Sequence, residues 1–292
     1  MRITGNRLIE QAAAATTNNQ NAVGTVTNQL TSGLRVTTPS DDPAAWLAAQ
    51  RAKLHKALSQ GTGAAIAASR DQLDQVDSAL TTIGETVASV RTLAVQGVSE
   101  TYTAGARAEL GTQVQALFQA ALSAANAQAP SGEYLLAGTA STTEPFDATG
   151  AYKGNATART IATDEHGTQT VTVAGSSLTA TAGVDVLPLL AKVATALSTN
   201  DIPTLQASLT DLDAAVKQVS AARGQAGTAM TVLDDATTAH GALETNLTAQ
   251  ISKLVETDTV GAASELARAS QALDVSRTVS SHIVSLLSTT TG

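Results

Sequence analysis

The chain contains no cysteine, which excludes disulfides and thiolate metal sites. Aromatic residues make up only 2% of the 292 positions, too few to wall a typical ligand pocket. Charged residues reach 14%, against about 25% in an average soluble domain. No run of about 18 apolar residues occurs, so no segment reads as a membrane-spanning helix. The net charge is −8 with a pI near 4.9. The basic patch that marks a nucleic-acid binder is not visible. Residues 1–10 lack the apolar stretch of a cleavable signal, and residues 12–15 are too short and too weakly apolar to supply one.

What remains is small and weakly polar. The 43% of hydrophobic residues are mostly Ala, Val and Leu, and the polar ones mostly Thr, Ser, Gln and Asn. Such side chains let helices approach closely. Residues 6–33 place Leu8, Ala12, Ala15, Ala22, Val26 and Leu30 near a four-three spacing, with Asn19 inside the stripe. This predicts a helix with one heptad face, capped by Gly33. Thr37-Thr38-Pro39-Ser40-Asp41-Asp42-Pro43 reads as a loop feeding a helix, with Pro43 in its first turn and Ser40 or Asp42 as cap. Helical spacing runs over 44–98, where Gly61 and Gly63 are candidate breaks, and again over 104–129.

The texture changes at Pro130. Glycine becomes frequent up to residue 185, and Tyr134, Phe146 and Tyr152 appear. Tyr134-Leu135-Leu136-Ala137 predicts a short strand. Arg159-Thr160-Ile161-Ala162 and Gln169-Thr170-Val171-Thr172-Val173 predict two more, joined by a turn at Asp164-Glu165-His166-Gly167. Helix returns at Pro188, pauses near Asn200 and runs on from Ile202 to a break at 256–261. The last helix sets Leu266, Leu273, Ser280 and Leu287 seven apart, with Ala269, Ser276 and Ile283 between them. The expected fold is mainly α with a small β-rich insertion: an elongated helical bundle whose terminal helices pair as a coiled coil. Its expected domains are 1–40 with 258–292, then 41–129 with 186–257, then the insertion at 130–185.

Chemistry has little support. His55, His166, His240 and His282 lie far apart and form no paired-ligand spacing. Asp164-Glu165-His166 fits a solvated turn better than a metal set, and Asp41-Asp42 fits helix capping better than acid–base work. No nucleophile elbow, phosphate loop or dinucleotide fingerprint stands in a strand–turn–helix context. No catalytic, cofactor or metal site is expected. A heptad stripe at each end, flanked by few charges, instead points to packing within an assembly. The subunit-packing candidates are Leu8, Ala12, Ala15, Ala22, Val26, Leu30, Leu266, Leu273, Ile283 and Leu287.

Met1-Arg2-Ile3-Thr4 and Leu30-Thr31-Ser32-Gly33-Leu34-Arg35-Val36 resemble the N-terminal signature of the bacterial flagellin superfamily. The run Pro39-Ser40-Asp41-Asp42-Pro43 is similar to the branch that forms the hook–filament junction, where flagellins typically carry Ala-Lys-Asp-Asp-Ala. Tyr134, Ala137, Gly138, Pro145, Phe146, Tyr152 and Gly154 resemble that branch's Tyr-x-Phe-Ala-Gly…Pro-Phe…Tyr-x-Gly pattern, with Leu136 where an aromatic is common. Arg223-Gly224-Gln225-Ala226-Gly227 and residues 264–287 extend the likeness to the end. Residues 90–96 are as much like flagellin itself. The resemblance implies a protein exported unfolded through the flagellar type III channel to an extracellular site. Its terminal helices would line that channel, with the insertion outside. The implied partners are hook-associated protein 1, flagellin, copies of itself in a ring, and a cytoplasmic chaperone on the C-terminal helix. A short flagellin forming the filament itself is the alternative. A helical signalling hairpin and an enzyme housed in the insertion are remoter ones. The terminal helices are expected to be largely disordered in the free monomer, because isolated helices are marginal in water.

Overall fold

A computed structural model describes residues 2–163 and 167–289, with side chains over 7–163 and 167–286. Among the described residues there are six helices: α1 Arg2–Ser32, α2 Pro43–Val98, α3 Ala104–Ala125, α4 Val186–Ser198, α5 Ile202–Val255 and α6 Thr259–Thr289. Two strands, β1 Thr160–Ala162 and β2 Thr168–Thr170, pair antiparallel with Ile161 opposite Gln169. A 3-10 turn spans Gly175–Leu178. The fold is therefore helical with a small β insertion, as the periodicities predict. The chain divides into two compact units, residues 59–242 and residues 1–58 with 243–292.

The larger unit holds most of the core. Val76, Leu80, Ile83, Val87 and Val90 repeat at four-three spacing along α2. They meet Leu205, Leu212, Val219 and Ala226, spaced by sevens on α5, all at most 1% exposed. Val114, Phe118 and Ala121 of α3 and Leu187, Leu190, Val193 and Leu197 of α4 join the cluster, as do Leu135, Leu136, Phe146, Val173 and Leu178 of the insertion. Gly111 lets α3 and α4 close up: a Cβ there would stand 2.4 Å from the Ser198 hydroxyl and 3.0 Å from the Ala194 carbonyl. Arg70–Asp234, Arg223–Asp77 and Arg91–Asp213 pairs tie α2 to α5 at three levels. All are solvent-exposed, so each adds little and burial supplies the stability.

Two polar side chains are buried because they tie off backbone ends. Arg107 is 8% exposed. It donates to the carbonyls of Gly97 (2.6 Å) and Ser99 (2.9 Å) at the end of α2, and to Asn200 Oδ1 (2.7 Å) just past α4. Gln218 of α5 accepts from Val184 N–H (2.8 Å) and donates towards the carbonyls of Ser177, Thr179 and Val184. It thereby pins the segment that leads into α4.

The insertion departs from expectation in one element. Tyr134-Leu135-Leu136-Ala137 is not a strand. Only Tyr134 makes a bridge, to Gln128, and the chain then turns. Gly132 and Gly138, with φ of 83° and 70°, bend the backbone on either side of the apolar run. Leu135, Leu136 and Ala137 are nonetheless buried, packed as a turn. The two hairpin strands occur where expected but are shorter. α3 stops at Ala125 instead of 129, because the Asn126 side chain leaves the helix to hold both the N–H and carbonyl of Phe146 (3.0 and 2.8 Å). Gly61 and Gly63 do not interrupt α2. The expected turn residues Asp164, Glu165 and His166 lie outside the described residues. Thr163 N–H donates to the Gly167 carbonyl (2.9 Å) across them.

Candidate assembly surface on the terminal helices

In the smaller unit α1 packs along α6. The α6 face turned towards α1 carries Ala262, Leu266, Ala269, Leu273, Ser276, Ser280 and Ile283, an unbroken four-three pattern that from Leu266 to Ile283 follows the expected stripe. Leu273 and Ala262 are the most buried, at 9% and 7% exposed. On α1 the covered positions are Ala12, Thr16, Asn19, Val23, Val26 and Leu30, also four-three. Ala15 and Ala22 are exposed, so the seam runs through Thr16 and Val23 in their place. Leu8 is 50% exposed. The Leu287 side chain lies outside the described residues.

The outer surface of this unit is more apolar than its seam requires. Val275, Val279 and Leu286 are 58%, 49% and 66% exposed along one side of α6. Leu47, Leu54 and Leu58 of α2 are 52%, 61% and 61% exposed. These side chains stand opposite Ala45, Ala49 and Ala52, which face inwards. Contiguous exposed apolar stripes of this kind mark interaction surfaces. The exposed stripes escaped sequence reading, because a heptad search stops at the first stripe it finds.

Between the helix pairs lies a joint formed by the α1–α2 loop and the α5–α6 turn. Leu34 pairs with Glu256 as an antiparallel bridge. Arg35 N–H donates to the Val255 carbonyl (2.7 Å), and Thr257 N–H to the Gly33 carbonyl (2.9 Å). Gly33 has a φ of 71°, the left-handed conformation expected of a helix C-terminal glycine. Pro39 and Ser40 are exposed at the loop tip, and Pro43 opens α2. The Asp41 carboxylate accepts from Thr38 N–H (2.8 Å), Thr37 N–H (2.9 Å) and the Thr37 hydroxyl (3.0 Å), which hold its pKa down at about 2. Asp42 caps α2 through Ala45 N–H (3.0 Å) and pairs with Arg35 (3.1 Å). Both contacts hold it below the ordinary carboxylate range, the amide first. Both carboxylates are thus spent on loop and helix capping.

The aromatic motif of the insertion is packing. Phe146 is 1% exposed and lies 5.1 Å from the Tyr152 ring. The Tyr152 hydroxyl donates towards the Leu136 and Asn155 carbonyls. A Cβ on Gly138 would fall 2.2 Å from the Asn155 carbonyl oxygen, and one on Gly154 would strike the Tyr152 ring. Pro145 and Ala137 are buried and Tyr134 half-buried. Among the described residues no three His, Cys, Asp or Glu side chains gather as a metal site. Ser59 and His240 are hydrogen-bonded (2.8 Å), but Ser59 is buried mid-helix and the other His240 nitrogen meets the Thr163 carbonyl (2.9 Å). This contact fastens the hairpin to α2 and α5.

Residues 3–141 match the bacterial flagellin N-terminal helical region. Flagellar hook-associated protein 3 of Salmonella typhimurium is 29% identical over 181 residues, 61% of this chain. The match spans 56% of that relative's length. Among solved structures, a Vibrio parahaemolyticus protein described as flagellar hook-associated aligns with a TM-score of 0.68 at 22% identity, covering 74% of this chain and 100% of that one. FlgL of Xanthomonas campestris aligns with a TM-score of 0.61 at 18% identity, over 70% of this chain and 99% of that one. These likenesses extend to the fold.

Proposed function

We propose that this chain is a member of the flagellin superfamily, supported by the match over residues 3–141 and the 29% identical relative, and that it is a structural adaptor at the junction between flagellar hook and filament. The observation that carries the reading is the terminal helix pair: a thin seam within the chain, and apolar stripes left over on its outer side. In this reading α1 and α6 form an inner, channel-lining layer, the α2–α5 helices the next layer, and residues 130–185 the outside. Copies of the chain form a ring, with hook-associated protein 1 on one side and flagellin on the other. Export runs through the flagellar type III channel, with a chaperone on α6 beforehand, and the working site is extracellular. No chemical step belongs to this role. The name of the Salmonella relative supports the junction over the filament, as does the proline-bracketed loop.

Deletion tests the role. Loss of an adaptor leaves flagellin secreted but unpolymerised. Loss of a sole flagellin leaves no secreted flagellin, and that result would identify the chain as a short flagellin, the reading that the N-terminal match also supports. Leu266→Asp and Leu273→Asp, complementing the deletion, are expected to leave residues 59–242 folded and to stop filament growth. Normal filaments on either variant would sink the terminal-helix mechanism.

A further inference from the structure

We propose that the outer stripe of α2 docks against a groove along α5 of a second copy of this chain, so that copies join head to tail. This rests on the reading that copies form a ring, and it names the contact between them.

The stripe is Leu47, Arg51, Leu54 and Leu58, spaced four-three-four and exposed. It points away from Ala45 and Ala49, which pack with Val36, Val255 and Trp46, the single tryptophan, at the joint. Residues 43–69 carry Arg51, Lys53 and Lys56 and no acidic residue. The stripe is therefore apolar with basic charge in and beside it. Two such stripes laid face to face would oppose like charges, which disfavours a symmetric pair.

The groove belongs to the larger unit and has a volume of about 600 Å³. Thr170 of β2 and Thr172 just beyond it line one wall, and Ala221, Gly224 and Thr228 of α5 the other. A Cβ on Gly224 would meet nothing within 4 Å, so the groove is open there. From Thr228 the same face of α5 continues at four-three spacing through Val232, Asp235 and Ala239, all exposed. Between Arg223 and Lys253 the only charged residues of α5 are acidic: Asp234, Asp235 and Glu244.

The two surfaces are complementary in size and in charge. Leucines on α2 meet Ala, Gly and Thr on α5, and Arg51 meets Asp235. Among the described residues neither Arg51 nor Asp235 has an ion-pair partner within the chain. Asp234, by contrast, is engaged by Arg70. The wider field agrees. Residues 59–242 carry 8 Lys or Arg against 17 Asp or Glu, a net −9, while the other unit carries 9 against 8, a net +1. The chain itself thus supplies the chemistry of the occupant. Because the docking surfaces differ, the contact repeats from copy to copy, the condition for a ring.

The chain lacks cysteine, so introduced thiols report the contact without background from its own residues. Leu54→Cys is combined in turn with Val232→Cys and with Ala239→Cys, which lie one helical turn to either side of Asp235. Isolated flagella are then treated with a short bismaleimide. One of the two pairs is expected to give a ladder of linked copies, and which one gives it sets the direction of the docked helix. Leu54→Cys alone should give none. Arg51→Glu and Asp235→Arg should each cut filament number on the order of ten-fold, and their combination should restore it. Both positions are exposed, so helix content and melting of the purified variants should match the wild type. A ladder from Leu54→Cys alone, an adduct to a different protein, or a double charge variant as poor as either single one would overturn the proposal. Antibody labelling separates the remaining failures. A chain absent from flagella overturns the junction role and this contact with it, whereas a chain present at the junction without any ladder overturns the contact alone.

Discussion

Asn19 of α1 donates its side-chain amide to the backbone carbonyl of Ala272 on α6, 3.2 Å away and 253 residues further along the chain. It is a polar group in the seam of a helix pair. Such residues lower stability and fix register, because only one alignment satisfies them.

Asn19→Leu should therefore strengthen the pair and blur its register. The gain expected is about 1 kcal/mol, typical of converting a half-buried polar position to an apolar one. Helix content in the free chain should rise, and sedimentation should reveal stronger concentration-dependent self-association than in the wild type. A variant that gains helix yet stays monomeric with unchanged pairing would show that Asn19 carries no register information.

The larger unit should be most sensitive at Arg107. Replacing it with Met removes the donors on Gly97, Ser99 and Asn200 and strands the buried Gly97 carbonyl and the half-buried Ser99 carbonyl at the end of α2. Leaving such groups unpaired costs roughly 2–4 kcal/mol. For a unit of this size that lowers the melting temperature by about 5–12 °C. Calorimetry on the full chain checks it, and a shift below about 2 °C would mean that water replaces the guanidinium without loss.

Neither Arg35 nor Arg107 stands out in the sequence, and for the same reason. Their acceptors are mostly main-chain carbonyls, which every residue possesses. By contrast the α6 stripe is legible from Leu266 to Ile283, since Leu266, Leu273 and Ile283 differ in size from their neighbours. The α1 seam was misplaced at two positions because Ala12 to Ala15 offers several helical phases of equal merit. Only the partner helix decides that Thr16 and Val23 face inwards. The run Tyr134 to Ala137 reads as a strand, yet it is a turn in which Leu135, Leu136 and Ala137 are buried. Its shape depends on the left-handed Gly132 and Gly138 outside the run, and composition within it carries no trace of them.

Acid should loosen the joint. Asp41 is held at about 2 by amide and hydroxyl donors of Thr37 and Thr38, below its ordinary 3.8. A lowered carboxylate stabilises the fold above the unfolded value and loses that contribution as pH falls through the folded one. Asp42 is shifted the same way. Trp46 emission should thus change between about pH 4 and pH 2. In Asp41→Asn, which cannot ionise, the emission change over this window should shrink. An unaltered transition in that variant would assign the effect to other carboxylates.

The insertion should behave as a folding knob. Phe146→Ala removes a ring that is 1% exposed and packed on Tyr152, a change that typically costs 3–5 kcal/mol, so about that much is expected here. Proteolysis should then begin within residues 130–185 while the helices remain intact. Thr142→Ala, at an exposed neighbouring position, should be neutral. If both variants were equally resistant to protease, the aromatic motif would have to be explained by contacts outside the chain.

The seam and the outer stripe of α6 should separate cleanly when each receives a charge. Leu273 is 9% exposed against α1, whereas Val279 is 49% exposed on the side facing solvent. An aspartate at 273 places an unpaired carboxylate in the seam and should abolish protection of both terminal helices in the free chain. An aspartate at 279 meets only water in the free chain, so protection and helix content should stay at the wild-type level. In an assembly the same residue would be buried against a neighbour. Val279→Asp is therefore expected to fail in filament growth despite an intact helix pair, a combination that Leu273→Asp cannot produce. Should Val279→Asp support normal filaments, the exposed stripe is not an assembly face, and Val275 and Leu286 would lose that role with it. Val279→Ala, smaller but apolar, should fall between the two, because close packing tolerates a lost methyl pair far better than a buried charge.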